Sequence, residues 1–498
     1  MVDEEMARWL ASAEGCATLA SLPPYRSSDV FTTTTSLRAL GYTPHQCAAL
    51  LTQSRLRAQA GAKFGEDLAS SWLFTDAGYQ QATRRVVADY HARRFLEAGA
   101  KSVIDAGCAL GADTAAFARA GLRALGVDID EATAILADHN MRYANNSHTT
   151  VEHYIEPRIV CGDLTALLPT LRENGEYDAV WLDPARRDNH GKRIYDPEKW
   201  QPALSTAVDL ARSFRYAGIK LGPGIALENL PEDAHVEWMS CDGEVVEAVA
   251  WFGVDKPGRS ALLVRGDAPT IHDGDVPVSQ PSGTDINTNE PRQLPCHTGS
   301  QTTTHTGSQT TTHTGSRASS HTDSLIIASQ PTADNTDSSM LHNPILRMIC
   351  HAGVPNVPVQ PTLEAECVAP GMFLYEPDGA AIRAGGIPVL CEEYGLSPVS
   401  EGIAYLCGTR KVTSPWLRGF VIEDILPLKA KPVGAYMKER GITRVEVKKR
   451  GTDVDPATFR KKLSLRPSSS GTTITETTLI LTRIAGKHVC IVTQPADA

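Results

Sequence analysis

Between Ser102 and about Arg265, seven short runs rich in β-branched and apolar residues alternate with stretches of helical character, and this alternation restricts the possible folds most. The runs are SVIDAG, RALGVDID, RIVCGD, YDAVWLD, GIKLG, VVEAVAWFG and SALLVRG. Strands that alternate with helices pair in parallel through right-handed crossovers, so an α/β fold with a doubly wound sheet is expected over residues 99–267. Upstream, PHQCAALLTQSRLRAQAGAKF and GYQQATRRVVADYHARRFLEAGA carry apolar residues at three- and four-residue spacing, which makes residues 1–98 a helical region.

From residue 268 to residue 340 the composition shifts to Thr, Ser, His, Gln, Gly and Pro. Few large apolar side chains remain there to offset the entropy cost of ordering, which predicts a disordered linker. HTGSQTTT begins at His297 and again at His305, then decays through HTGSRASS at His313 into HTDS at His321. This period is too short for the repeats that build cores, and a flexible Thr-rich tract does not fix a coordination geometry, so no metal is assigned to it. Residues 341–498 mix helix and strand and form a separate small α/β domain, closed by a hairpin around Ala485 and Gly486.

The chain has 498 residues, 48 Lys plus Arg and 58 Asp plus Glu, for a net charge of -10. The stretch from Arg410 to Lys487 carries +10, leaving -20 for the remainder. A basic module joined to an acidic body points to a polyanionic partner or to a merely solvated basic face. No stretch approaches the roughly 18–20 apolar residues of a membrane span, and MVDEEMARWL lacks the apolar core of a secretory signal. The 11 cysteines are scattered and never spaced C-x-x-C, which suggests neither a disulfide framework nor zinc and fits a cytoplasmic location.

The strongest chemical signal is VIDAGCALGAD, with Asp105, Gly107 and Gly111 at the exit of the first strand. Ligands of open parallel sheets sit at the carboxyl ends of strands, where a glycine turn lets backbone approach them. An acid ending the next strand is then expected, and Asp128 in GVDID supplies it, ready to accept from ribose hydroxyls. Asp163 in CGDLT ends the third run, placed to accept from an adenine amino group. The dinucleotide pattern G-x-G-x-x-G fails because Ala109 and Ala112 replace its second and third glycines, leaving a pyrophosphate poorly served. S-adenosylmethionine has no phosphate, and its methionyl amine favours an acid such as Asp105.

At this point the chain resembles class I S-adenosylmethionine-dependent methyltransferases, with VIDAGCALGAD, GVDID, CGDLT and VWLDPAR in that family's order. The resemblance implies a Rossmann-like fold, S-adenosylmethionine as cofactor, and Asp105, Gly107, Gly111, Asp128 and Asp163 as its binding residues. Ala109 stands where the family usually has its middle glycine.

Asp183-Pro184-Ala185-Arg186 follows the fourth strand. A carboxylate there, stiffened by proline, is placed to hold a substrate N–H in line with the methyl donor. In D/N-P-P-aromatic methyltransferases this position holds an amino group; here Ala185 and Arg186 replace the second proline and the aromatic, and an arginine plane stacks on a base or binds phosphate. Carbon-5 methyltransferases need a cysteine after the next strand. Lys220-Leu221-Gly222-Pro223-Gly224 has none, and Cys241 is read as an inert buried thiol, so transfer to nitrogen is favoured. Lys220 is read as a contact for substrate phosphate or carboxylate, or as a lysine snorkelling from a strand end. Phe74, Gln81 and Thr83 are candidates for a lid over the methionine end, the alternative being ordinary helix packing.

In the basic module, Lys448, Lys449 and Arg450 end a strand and Arg460, Lys461 and Lys462 sit on the following helix, two clusters that can share one phosphate-tracking surface. LYEPDGAAIRAG, IEDILPL and VKKRGTDVDP are similar to the THUMP-like domains found behind bacterial methyltransferase domains, which implies RNA binding. The expectation is an RNA methyltransferase acting on tRNA or rRNA at a base nitrogen. Two alternatives stand beside it: a protein or small-molecule methyltransferase, and a non-catalytic RNA-binding protein with a degenerate pocket.

Overall fold

The structure is a computed structural model that describes residues 2–144, 155–173, 175–187, 191–264, 326–328, 345–353, 355, 368–465 and 476–496. Its first sheet contains β1 (Ser102–Ala106), β2 (Arg123–Asp128), β3 (Arg158–Cys161), β4 (Ala179–Leu182), β5 (Tyr216–Leu221), β6 (His235–Cys241), β7 (Glu244–Phe252), β8 (Gly258–Val264), β9 (Ile326–Ala328) and β10 (Ile345–Ala352). They lie in the order β3-β2-β1-β4-β5-β7-β6-β8-β10-β9. The first five pair in parallel, as the alternation of strands and helices requires.

The second half of this sheet mixes directions. β7 runs antiparallel between β5 and β6. β6 is absent from the seven runs read in the sequence, although its link to β7 is a two-residue turn at Asp242 and Gly243 with φ of 52° and 81°, an Asp-Gly hairpin signal. Both faces of the parallel part are covered. Ile104, Val180 and Leu182 pack into one core and Val103, Ala179 and Trp181 into another, the two-residue alternation of a strand buried on both sides.

The N-terminal helices form a third core, which takes in Leu110 and Ala112 of the glycine turn and Leu136 and Met141 of the helix after β2. Pro44–Phe64 is one helix with a capping box at Thr43. The second expected helix is broken: Asp76–Gln81 and Arg85–Ala98 are helical, and Ala82–Arg84 is extended between them. That break turns Thr83 into the interior.

Two strands bear on the boundaries read from the sequence. β9 falls inside the 268–340 segment and β10 beyond it, yet both belong to the first sheet, β10 antiparallel to β8 and β9 antiparallel to β10. Arg347 of β10 anchors this closure, donating to Glu237 Oε1 at 2.7 Å and to Asp255 Oδ2 at 2.6 Å. Burial alone would push the Glu237 carboxyl up, but Arg347 and Arg94 hold it down at about 2. The rest of the 268–340 segment, with its His-Thr repeats, lies outside the described residues.

The second sheet contains β11 (Phe373–Pro377), β12 (Ser397–Ser400), β13 (Ile403–Gly408), β14 (Leu417–Pro427), β15 (Arg444–Lys449), β16 (Glu476–Ile484) and β17 (Lys487–Pro495), in the order β12-β13-β11-β14-β17-β16-β15. The expected closing hairpin is β16–β17, turning at Ala485 and Gly486, both with positive φ. The two sheets share a core: Tyr375, Ala380, Leu390, Leu406 and Trp416 pack in one cluster with Trp238, Ala250 and Leu263. Asp378 accepts from Ser240 Oγ at 2.8 Å and caps the helix Gly379–Ala384, whose Gly379 leaves no room for a side chain against Val245. Among the described residues, no helix is long and apolar enough to cross a membrane, and no group of three or more His, Cys, Asp or Glu is placed to hold a metal.

Candidate active site

The carboxyl ends of β1, β2 and β4 meet at the turn Gly107–Gly111. Gly107 and Gly111 have φ of 89° and 83°, in the left-handed region where glycine carries no Cβ penalty. A Cβ at Gly107 would stand 3.2 Å from the Asp183 carbonyl oxygen, and one at Gly111 would meet Met141 Cε at 2.5 Å. Ala109 takes the conformation usual for the glycine it replaces, with φ of 48°. The turn is therefore kept at the cost of backbone strain, on the order of 1–2 kcal/mol.

Asp128 ends β2 and fastens this turn. Its Oδ2 accepts from Ala109 N and its Oδ1 from Asp130 N, both at 3.0 Å. A carboxylate has about four acceptor sites, so these two bonds orient it and still leave capacity for hydroxyls. Burial pushes its pKa up, while the two backbone donors oppose the shift.

Asp105, the penultimate residue of β1, is buried, its Oδ2 accepting from Thr114 Oγ1. Burial, followed by the neighbouring Asp113 charge, holds this carboxyl well above the usual carboxylate range, with Thr114 and Lys220 acting in the opposite direction. Its side-chain hydrogen bond comes from a neutral hydroxyl, and an incoming ammonium is a partner its surroundings favour.

Asp183 lies just beyond β4, with its backbone N–H on Ala106 O at 3.2 Å and Pro184 buried behind it. Lys220, near the end of β5, donates from Nζ to Asp183 Oδ2 and to Thr83 Oγ1, each at 2.9 Å. Thr83 passes its hydroxyl hydrogen to Asp113 Oδ2 at 2.6 Å. His91 then bridges Asp113, at 2.8 Å from Nδ1, to Glu247, at 2.7 Å from Nε2, with its ring over Trp181 at 4.2 Å. Burial opposes a charged imidazole here, yet Glu247 and Asp113 push His91 up to about 9. The Lys220 ammonium is likewise disfavoured by burial but stabilised by Asp183, Glu247 and Asp113, which together raise its pKa. These residues form one continuous chain of alternating charge from Glu247 to Asp183.

Other expected residues divide. Asp163 is exposed; its Oδ1 accepts from the N–H and hydroxyl of Thr165, which pull its pKa down, so its observed work is to cap the helix Leu164–Glu173. Phe74 is fully buried among Phe64, Trp72 and Tyr79, and its backbone is held by Gln53, which makes it core. Gln81 is exposed. Gly78 of the same segment lies directly on Leu110, which puts the helix Asp76–Gln81 over the glycine turn. Cys241 is buried at the end of β6, and burial pushes its thiol up.

In the basic module Lys448 and Arg450 are engaged internally, with Lys448 Nζ 2.6 Å from Glu376 Oε2 and Arg450 3.8 Å from Glu376 Oε1. Lys449, Arg460, Lys461 and Lys462 are exposed. Hydrogen bonds from Thr458 chiefly lower the Asp455 carboxyl, with Lys449 and Lys461 adding to the effect.

Residues 417–495 match the family described as THUMP domain-like, and residues 3–60 match a domain of unknown function, DUF8688. The chain is similar to an uncharacterised S-adenosylmethionine-dependent methyltransferase of Mycobacterium tuberculosis, 26% identical over 426 residues, covering 84% of this chain and 89% of the relative. A crystal structure of a candidate methyltransferase from Porphyromonas gingivalis matches with a TM-score of 0.59 and 17% identity, over 95% of this chain and all of that one. By sequence and fold, the chain is a homologue of S-adenosylmethionine-dependent methyltransferases. In this methyltransferase homologue, the glycine turn, Asp105 and Asp128 lie at one sheet edge with Asp183. Thr83, Asp113, His91 and Glu247 extend the site inward. Of these only Thr83 is named in the sequence reading, as a lid residue; the one local signal for Glu247 is a lone charge inside the apolar run VVEAVAWFG.

Proposed function

We propose that the protein transfers a methyl group from S-adenosylmethionine to a base nitrogen in structured RNA, of the tRNA or rRNA class. The observation that carries the reading is the meeting of Asp105, Asp128 and Asp183 around one glycine turn at the carboxyl edge of β1, β2 and β4.

The residues fit the cofactor. Asp128 offers its remaining lone pairs to the ribose hydroxyls, Gly107 and Gly111 allow close approach of backbone, and the buried Asp105, beside the Asp113 charge, suits the methionyl ammonium. Asp163 keeps its adenine assignment only through acceptor capacity not used in capping. When bound, S-adenosylmethionine supplies an electrophilic methyl on a sulfonium. Asp183 accepts from the substrate N–H, fixing the nitrogen lone pair, and takes up the proton released as the nitrogen is alkylated. Lys220 acts through Asp183, holding one carboxylate oxygen in place. Arg186 reaches the loop after β5, where a guanidinium suits a phosphate. The C-terminal domain, with Lys449, Arg460, Lys461 and Lys462 exposed, holds RNA further out, while Lys448 and Arg450 shape its surface through Glu376.

The test is mass-spectrometric comparison of modified nucleosides from total RNA with and without this protein, followed by restoration in vitro with the purified chain. One methylated nucleoside that disappears and is restored supports the reading. An unchanged RNA inventory, with methyl transfer to protein or a small molecule instead, overturns it.

A further inference from the structure

The loop after β5 is met by three arginines that none of the described carboxylates pairs with. Beyond Asp183 the chain forms a small antiparallel hairpin, with bridges between Ala185 and Gln201 and between Arg187 and Arg193. It brings Arg186 and Arg193 over Gly222, the first residue after β5. A Cβ at Gly222 would stand 2.9 Å from Arg186 Nη1 and 3.1 Å from Arg193 Nη2, so two guanidinium groups crowd one point of this loop. Two residues further on, a Cβ at Gly224 would be 4.0 Å from Nη1 of Arg383, an exposed residue of the helix Gly379–Ala384 in the C-terminal domain. Arg193 also lies over the ring of Tyr195, at 5.9 Å, and that residue is 83% exposed.

Like charges gathered with no counter-ion among the described residues repel one another, an arrangement that an anion relieves. A guanidinium fork matches phosphate oxygens, and an exposed aromatic ring accepts an unstacked base. The same loop begins two residues after Lys220, whose ammonium holds Asp183. A chain of phosphates laid across it would thus reach the reacting carboxylate within a nucleotide or two. Lys448 and Arg450, the two partly buried members of the other basic cluster, are by contrast already engaged by Glu376.

We propose that Arg186, Arg193 and Arg383 form one phosphate-gripping rim, built jointly by the two domains, across which an RNA strand enters the pocket with an unpaired base on Tyr195. This inference rests on the RNA reading above and assigns the entry surface to the domain junction rather than to the outer face of the THUMP-like domain.

The test uses the full chain, fluorescence anisotropy with labelled total tRNA over a salt series, and calorimetry with S-adenosylmethionine. For R193Q/R383Q, tRNA affinity at low salt should fall at least about tenfold and the slope of log affinity against log salt should drop by about 1 to 2, with S-adenosylmethionine binding unchanged. Y195A should weaken tRNA binding without altering that slope. If wild-type protein binds tRNA with a salt-dependent affinity that R193Q/R383Q leaves intact, the rim is overturned and the RNA reading stands. If wild-type protein binds S-adenosylmethionine but not tRNA or rRNA, both fall together.

Discussion

Lys220 Nζ reaches the Asp183 carboxylate at 2.9 Å from the adjacent strand, while its far side meets Thr83 and, at 3.9 Å, Glu247. A lysine this deeply buried persists only because carboxylates surround it. Asp183→Asn keeps the shape and removes the proton acceptor. Methyl transfer should fall by about 10²- to 10⁴-fold while cofactor affinity measured by calorimetry changes little. Lys220→Met leaves Asp183 and the buried Asp113 and Glu247 short of a cation, so chemical denaturation should also show a loss of about 3–5 kcal/mol. Full activity of D183N would remove Asp183 from the mechanism.

Asp128→Ala should weaken S-adenosylmethionine binding by about 1–3 kcal/mol, roughly five- to 150-fold in Kd. The turn also loses its bond from Ala109 N, so near-ultraviolet circular dichroism of the free protein should accompany the titration. Unchanged affinity would take the ribose away from this carboxylate.

Because burial and Asp113 favour the protonated form of Asp105 in the free protein, an arriving ammonium should expel a proton. The sign follows: affinity for S-adenosylmethionine rises with pH through the range in which the free carboxyl stays protonated, and levels off once it ionises unaided. Calorimetry in buffers of different ionisation enthalpy reads the released proton directly. Proton uptake, or none, would contradict the assignment of Asp105 to the amine.

Ala109→Gly replaces a strained left-handed alanine by the residue that conformation favours. Stability in thermal or urea unfolding should rise by about 1 kcal/mol or less, the relief of strain being partly offset by the greater freedom of unfolded glycine, with cofactor binding retained. A marked loss would show that the methyl group of Ala109 has a packing role.

The parallel half of the sheet could be read from the sequence because each strand announces itself locally, by a short apolar run closed by Gly or Asp. Asp105, Asp128 and Asp183 were legible for the same reason, since each directly follows such a run. Asp163 satisfied the same pattern and yet caps a helix, for an acid before Leu-Thr is equally a cap and a ligand until its surroundings are known. His91 and Glu247 meet Asp113 only after a helix, a loop and a hairpin have folded onto one another, and nothing near them in the chain records that meeting. The place of β10 was hidden likewise, its partner β8 being separated from it by the long Thr-rich segment. The pairing of Arg347 with Glu237 is written in neither neighbourhood.

That placement of β10 has a practical consequence. β8 and β10 are adjacent, hydrogen-bonded strands, so the covalent path from Val264 to Ile345 is not what joins the two halves of the molecule. Ladder, ion pairs and common interior do so instead, and lengthening a connection of this kind costs little entropy. A single nick introduced there should yield two fragments that migrate as one species without denaturant.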